Sequence, residues 1–225
     1  MNFIRNLFAP KKPAIKSYED FWKWFRLHEK KFFKVVSNRG NIEKHFFHKM
    51  SPRLNELKEG VYYLTGMLND HTAELVFTAD GIIENFAFIE DLVNSAPAVD
   101  GWKFTAHKPA QDIKDVTIQM DRYTFGADNL WFFPNLHEHM PDEIDITVVH
   151  KDFNDNNKRA IVNGTFIFLD NFLGELNFAT TVDKIDVAGR EGAKGELIPI
   201  AKLKDYLNWR QKEFIEKYEG TRHNT

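Results

Sequence analysis

The chain has 225 residues, 43% of them hydrophobic, with 21 Phe, no Cys and a formal net charge of −3. A chain of this size buries roughly 70% of its unfolded surface, so global disorder is excluded, and a slightly acidic balance lacks the basic excess of a nucleic-acid-binding domain. Without cysteine there are no disulfides, no thiol nucleophiles and no Cys-ligated zinc or iron–sulfur sites. The expectation is a soluble cytoplasmic protein with no cofactor and no nucleic-acid partner.

Residues 1–16 read as a basic N-terminal segment and linker. Arg5 and Asn6 interrupt the apolar residues of the first turn's worth of chain, so no signal peptide is expected. No stretch approaches the roughly 18–20 apolar residues of a membrane span. Pro10 and Pro13 bracket a linker that cannot be helical. Through Lys34 there are nine basic and three acidic residues, leaving the rest of the chain acidic. Residues 17–59 read as a helical arm packed on the core. Ser17 is placed to cap a helix over 18–36, with Glu19 and Asp20 in its first turn. Tyr18, Phe21, Trp22, Phe25, Phe32, Phe33 and Val36 recur at helical spacing. A second helix follows Asn41, and Ser51-Pro52 predicts a restart or kink within it.

Residues 60–225 read as an α+β core with a C-terminal helix. Segments 61–68 and 73–79, separated by Asn69-Asp70, predict a hairpin. A helical face of Ile83, Phe86, Ile89 and Leu92 ends before Pro97. Asp100-Gly101 turns the chain into a strand with Trp102, Phe104 and Ala106 on one face and Lys103, Thr105 and His107 on the other. Residues 73–107 are thus strand, helix, strand, with the strands parallel. Short strands are expected near 115–119, 121–125 and 129–133, and a longer one over 143–150. At IVNGTFIFLDNFLGE two signals conflict. Asn163-Gly164 between apolar residues marks a hairpin, while Ile161, Thr165, Phe168, Leu169 and Phe172 share one helical face. A mid-helix glycine costs about 1 kcal/mol, which burial of the aromatics outweighs, so helix is favoured and the hairpin stays open. A strand near 176–187 and a final helix near 201–218 complete the chain. The expected fold class is α+β: a twisted, largely antiparallel sheet built from two strand-helix-strand units (ferredoxin-like halves), with N-terminal and C-terminal helices.

Two stretches resemble a known pattern. LVNSAPAVDGWKFTAHKP and FLDNFLGE are similar to the Leu-Val-x-x-Ala-Pro…Gly-Trp and Leu-Asp-x-x-Leu-Gly-Glu patterns of an uncharacterised conserved bacterial domain family. The resemblance covers about residues 60–190. It implies a bacterial cytoplasmic α+β domain with no assigned activity, favours helix over hairpin at 160–173, and supplies no catalytic residues.

Candidate sites are sparse. His45 and His48 share a helical face and are metal-ligand types, but a site needs a third ligand. His137-Glu138-His139 with Asp142 and Glu143 is denser, in a loop between Pro134 and Pro141. That loop reads more simply as solvated. Asp152 to Asn156 imitates the start of a calcium loop, but Asn157 stands where glycine is needed and Asn163 where a glutamate is. Asp170 and Glu175 form the one acid pair attached to a recognisable pattern, with Glu175 expected to begin a strand. No GxxxxGK[ST], GxGxxG or GxSxG motif is present. Trp102, Lys103 and His107 are the binding candidates. If a helix covers the face that carries Lys103 and His107, His107 is structural. The basic aromatic helix over 18–36 fits packing better than a lipid surface.

The preferred reading is a non-enzymatic binding or regulatory (protein-interaction) domain. A protein partner or self-association is left open. The alternative is a metal-dependent enzyme using a His/carboxylate site. A second alternative is a peripheral membrane module using residues 1–36.

Overall fold

The computed structural model describes residues 14–140 and 142–222. The segment of residues 1–13, with most of the expected basic linker, and Pro141 lie outside them. The chain divides into two compact units, residues 1–107 and 108–225.

In the first unit, helix α1 spans Tyr18–Ser37. Ser17 is extended, and its Oγ accepts a hydrogen bond from Asp20 N–H at 3.2 Å, which satisfies one of the open donors of the first turn. Phe21, Trp22, Phe25, Phe32 and Val36 are buried along one stripe. A wide π-type turn, Glu43–Phe47, leads into α2, His48–Leu57, which carries Pro52 inside it. The expected irregularity is therefore a wide turn that precedes the proline; the helix runs on through Ser51-Pro52. Strands β1 (Tyr62–Asn69) and β2 (Thr72–Thr78) form the hairpin. Helix α3, Phe86–Asn94, crosses over to β3, Trp102–Ala106, which lies parallel to β2 with Ala73 opposite Trp102. The sheet order is β1-β2-β3.

Ring contacts join α1 to this sheet. Trp22 lies 4.5 Å from Phe104, Phe25 lies 5.1 Å from Trp102, and Phe21 lies 6.1 Å from Phe77, centroid to centroid. Trp22 Nε1 donates to Leu92 O at 2.9 Å, so the buried indole has its partner on α3. The aromatic spacing read along α1 is thus core spacing.

In the second unit, β4 (Ile118–Met120) and β5 (Tyr123–Phe125) form a small hairpin. Strands β6 (Leu130–Asn135) and β7 (Asp145–His150) pair antiparallel. Helix α4, Lys158–Leu173, is followed by α5, Glu175–Thr181, and by β8, Lys184–Ala188, which is parallel to β7. A two-residue strand, β9 (Ile198–Pro199), pairs antiparallel with β6 before the terminal helix α6, Leu203–Arg222. The sheet order is β8-β7-β6-β9. Strand β7 is buried at every position because it is central, which hides the alternation seen in its sequence.

The protein is α+β, with six helices among the described residues, but three expectations need correction. Among the described residues the single sheet is replaced by three small, mostly antiparallel sheets. The strand expected over 176–187 is helix through Thr181 and strand only from Lys184. Strand β8 starts opposite Asp145, so residues before Lys184 lie past the end of β7 and have no strand partner there. The ferredoxin-like halves are also replaced. Such a half leaves space between its two parallel strands for a third, whereas β2 pairs directly with β3 and β7 with β8. Each unit instead contains a hairpin and a helical crossover to a parallel strand, β1-β2-α3-β3 in the first and β6-β7-α4-α5-β8 in the second.

The conflict at Asn163-Gly164 resolves as helix. A Cβ at Gly164 would overlap the Phe125 ring of β5, so the glycine permits close helix-to-strand approach and makes no turn. We expect Gly164→Ala to destabilise the protein by about 1–3 kcal/mol through overpacking, despite alanine's better helix propensity. The check is a lowered urea midpoint at unchanged slope; an unchanged or raised midpoint would refute the packing account.

Candidate functional site

The residues nominated on β3 have separate fates. Trp102 belongs to the aromatic core, 8% exposed, with Phe25, Phe33, Phe46 and Phe104 around it. Lys103 reaches across to β2, its Nζ 2.8 Å from Glu74 Oε1, and Thr105 Oγ1 donates to the same oxygen at 2.6 Å. Burial pushes the Glu74 carboxyl up, but the Lys103 and Thr105 hydrogen bonds win and hold it below its ordinary value. His107 is buried just past the end of β3, in the left-handed region at φ 64°. Its N–H donates to Phe77 O at 2.8 Å, its Nε2 lies 3.2 Å from Glu90 Oε1, and its ring lies 4.5 Å from that of Phe86. Helix α3, through Phe86 and Glu90, therefore packs on His107.

Asp170 and Glu175 do converge, on Lys108. Lys108 Nζ lies 2.6 Å from Asp170 Oδ2. Glu175, fully buried, accepts from Lys108 N–H at 3.2 Å through Oε2 and donates its own N–H to Lys108 O at 2.9 Å. Gln111 N–H donates to Asn171 O at 3.0 Å. Gly174 sits at φ 80°, and a Cβ there would come 2.7 Å from Ala110 N. The LDNFLGE stretch thus docks the extended segment 108–111 against the α4–α5 junction. The glycine allows the approach, and the two acids hold Lys108 by its head and its backbone.

Of the metal candidates, His45 and His139 are exposed. His48 Nε2 lies 3.3 Å from Glu43 Oε1, both exposed. His137 lies 2.8 Å from Asp145 Oδ2 through Nε2. Among the described residues no three His, Asp or Glu side chains are grouped to hold a metal ion. Sequence reasoning missed Asp145, which is 2% exposed at the start of β7. Its Oδ1 accepts from Asn135 Nδ2 at 2.7 Å, and Lys184 Nζ approaches Oδ2 at 3.6 Å. Burial pushes this carboxyl up, but Asn135, His137 and the Lys184 charge together hold it below its ordinary value. The arrangement orients one imidazole against a buried anion. The signal in the sequence was a lone acid opening a β-branched strand, which reads equally as solvent-facing alternation.

His150 is fully buried at the other end of β7. Its Nε2 lies 3.0 Å from Thr124 O and its Nδ1 accepts from Asp152 N–H at 3.1 Å, an arrangement that suits a neutral ring. Burial pushes its pKa down, against the opposing pull of Thr124 and Asp152.

Two surface features remain, both in the first unit. Helices α1 and α2 line a groove of about 780 Å³ whose walls include Ile15, Trp24, Leu27, His28 and Arg53. Arg53 lies 6.0 Å over the Trp24 ring and bonds Glu56 at 3.0 Å. The second is strand β1. It is the edge of its sheet, eight residues long, with no charged residue and no proline. Tyr62, Leu64 and Leu68 are 53%, 52% and 53% exposed. Ala73 N–H and Phe77 O face β3, so by strand alternation Glu74, Val76 and Thr78 face β1. Their partners are Gly66, Leu64 and Tyr62, which leaves the N–H and C=O groups of Tyr63, Thr65 and Met67 facing outward. Among the described residues no strand pairs with that edge. A Cβ built at Gly66 meets nothing within 4 Å, and a shallow depression of about 280 Å³ lies there between Leu64, Leu68, Glu74 and Val76.

Comparison with protein-family models, curated proteins and solved structures finds no match.

Acid should destabilise the second unit in two stages. The His150 pKa is depressed on folding, so stability starts to fall as pH drops below its unfolded value of about 6.5. The depressed Asp145 pKa contributes stability that is present above the unfolded carboxylate value and is lost as pH falls through the folded one. Asp145→Asn should cost about 1–3 kcal/mol at pH 7 and flatten the lower stage. Urea midpoints measured from neutral to acid pH, wild type against variant, check both; parallel curves would refute the assignment to Asp145.

Proposed function

We propose that the protein is a non-enzymatic binding domain of the bacterial cytoplasm that takes a protein partner by adding an extended segment to the β1 edge. The carrying observation is β1 itself. Edge strands are ordinarily guarded by charge, proline, shortness or a covering element, and β1 has eight uncharged residues with three large apolar side chains exposed. The second unit supports the reading from within the molecule. Its corresponding first strand, β6, carries an added antiparallel strand on that edge, with Trp131 opposite Pro199 and Phe132 opposite Ile198. Main-chain hydrogen bonds from Tyr63, Thr65 and Met67 would supply affinity, and the depression at Gly66 would select a side chain.

The metalloenzyme alternative is supported by His137 and Asp145 alone, two ligand types where a catalytic zinc site takes three. The membrane alternative loses its aromatic face, since Phe21, Trp22, Phe25 and Phe32 of α1 are buried, and residues 1–13 of its segment lie outside the described ones.

The test is selection of phage-displayed random peptides on the full-length chain. Uncharged peptides with alternating apolar residues should be enriched, and their binding should slow amide exchange at Tyr63, Thr65 and Met67. Gly66→Lys, whose side chain starts in open space, should weaken them roughly tenfold or more by placing a charge on the edge. Peptides that protect the α1–α2 groove instead, or that bind Gly66→Lys equally well, would overturn the proposal.

A further inference from the structure

Resting on the reading of β1 as a strand-accepting edge, we infer that its occupant is β1 of a second copy, paired antiparallel about a two-fold axis at Thr65. The outward-facing groups and Gly66 together select this register. Antiparallel pairing centred on residue 65 sets Thr65 opposite Thr65 and Tyr63 opposite Met67, and these are the residues whose N–H and C=O groups point out of the sheet. They become the hydrogen-bonded pairs of the new ladder. Leu64 then falls opposite Gly66 in a pair without hydrogen bonds, where side chains approach most closely. A half-exposed leucine meets the position that has no side chain and an open depression beside it. A register displaced by one residue would set inward-facing backbone groups against outward ones and forfeit the ladder.

Charge fits the same register. The strand is uncharged, so it takes a partner strand that is also uncharged, and β1 is one. Lys58 and Glu59 precede it, and Asp70 and His71 follow it. The two-fold brings the first pair of one copy to the end where the other carries the second, so that Lys58 and Asp70, opposite in charge, share each end of the ladder. The irregularity between Met67 and Asn69 ends the regular edge just past the last residue the pairing uses. The contact is isologous and closes on itself, giving a dimer rather than a filament.

The experiment is light scattering on the full-length protein over a concentration series, with three variants. Wild type should be dimeric with a melting temperature that rises with concentration, and Gly66→Lys should be monomeric, cooperatively folded and without that concentration dependence. Register is read by crosslinking, which is clean because the chain has no cysteine. Hydrogen-bonded antiparallel partners have Cα atoms about 5.5 Å apart, within disulfide range. Thr65→Cys should therefore form a disulfide dimer on mild oxidation, and Leu68→Cys should not. A monomeric wild type overturns the self-pairing. A dimer that survives Gly66→Lys, with Cys at 65 uncrosslinked, overturns it equally. If the wild type is monomeric but selected peptides still protect Tyr63, Thr65 and Met67, the second copy is rejected while the edge remains the binding site. If neither self-association nor peptide protection occurs there, both readings fall.

Discussion

A hairpin followed by a helical crossover to a parallel neighbour governs both halves of this protein. Once β2 pairs antiparallel with β1 and parallel with β3, it is central and its backbone is satisfied on both sides. The same holds for β7 between β6 and β8. The apolar content follows from this position. Strand β7 is buried throughout, and Leu75, Val76 and Phe77 of β2 are buried in succession. The arrangement also leaves the first arm of each hairpin, β1 and β6, with one side not taken by the hairpin or the crossover. In the second unit β9 takes that edge of β6, and in the first unit no described strand takes that edge of β1. The most informative surface of the molecule is thus a consequence of connectivity.

Polar residues inside the units mostly serve the backbone. Glu175 brackets Lys108 with one side-chain and one main-chain hydrogen bond, and Asp170 holds its ammonium. His150 joins the end of β7 to the loop after it and to β5. Asp145 gathers Asn135, His137 and Lys184 at the opposite end of the same strand. Buried acids and imidazoles attract functional readings because perturbed titration is common at active sites. Here each has contacts that explain its burial, since an unpartnered polar group in such surroundings would be costly.

Helices whose apolar positions recur at helical spacing were legible in the sequence. The stripe on α1, its Ser17 cap and the end of α3 before Pro97 all stand where local chemistry put them. The parallel pairing of β2 with β3 followed from strand, helix, strand. Less legible was 176–181, where Leu176 and Phe178 suit strand or helix equally and only the starting register of β8 decides. The candidate site was scarcely legible. Asp145 and the residues it gathers lie on three strands and the loop after β6, and β1 looked like an ordinary hairpin arm because nothing local reveals which arm will be an edge.

The sequence by itself determined the α+β class, most element positions and the exclusion of cysteine chemistry, because these depend on composition and on spacing within about a dozen residues. Tertiary structure alone decided the role of each glycine and acid. Gly164 and Gly174 are both helix-associated glycines, yet one makes room for the Phe125 ring and the other for the backbone of Ala110. Asp170 and Glu175 became a clamp only when Lys108, far off in sequence, was brought between them. Such meanings arise from which distant atom arrives within bonding distance, and a chain read in order holds no record of that until its strands choose their neighbours.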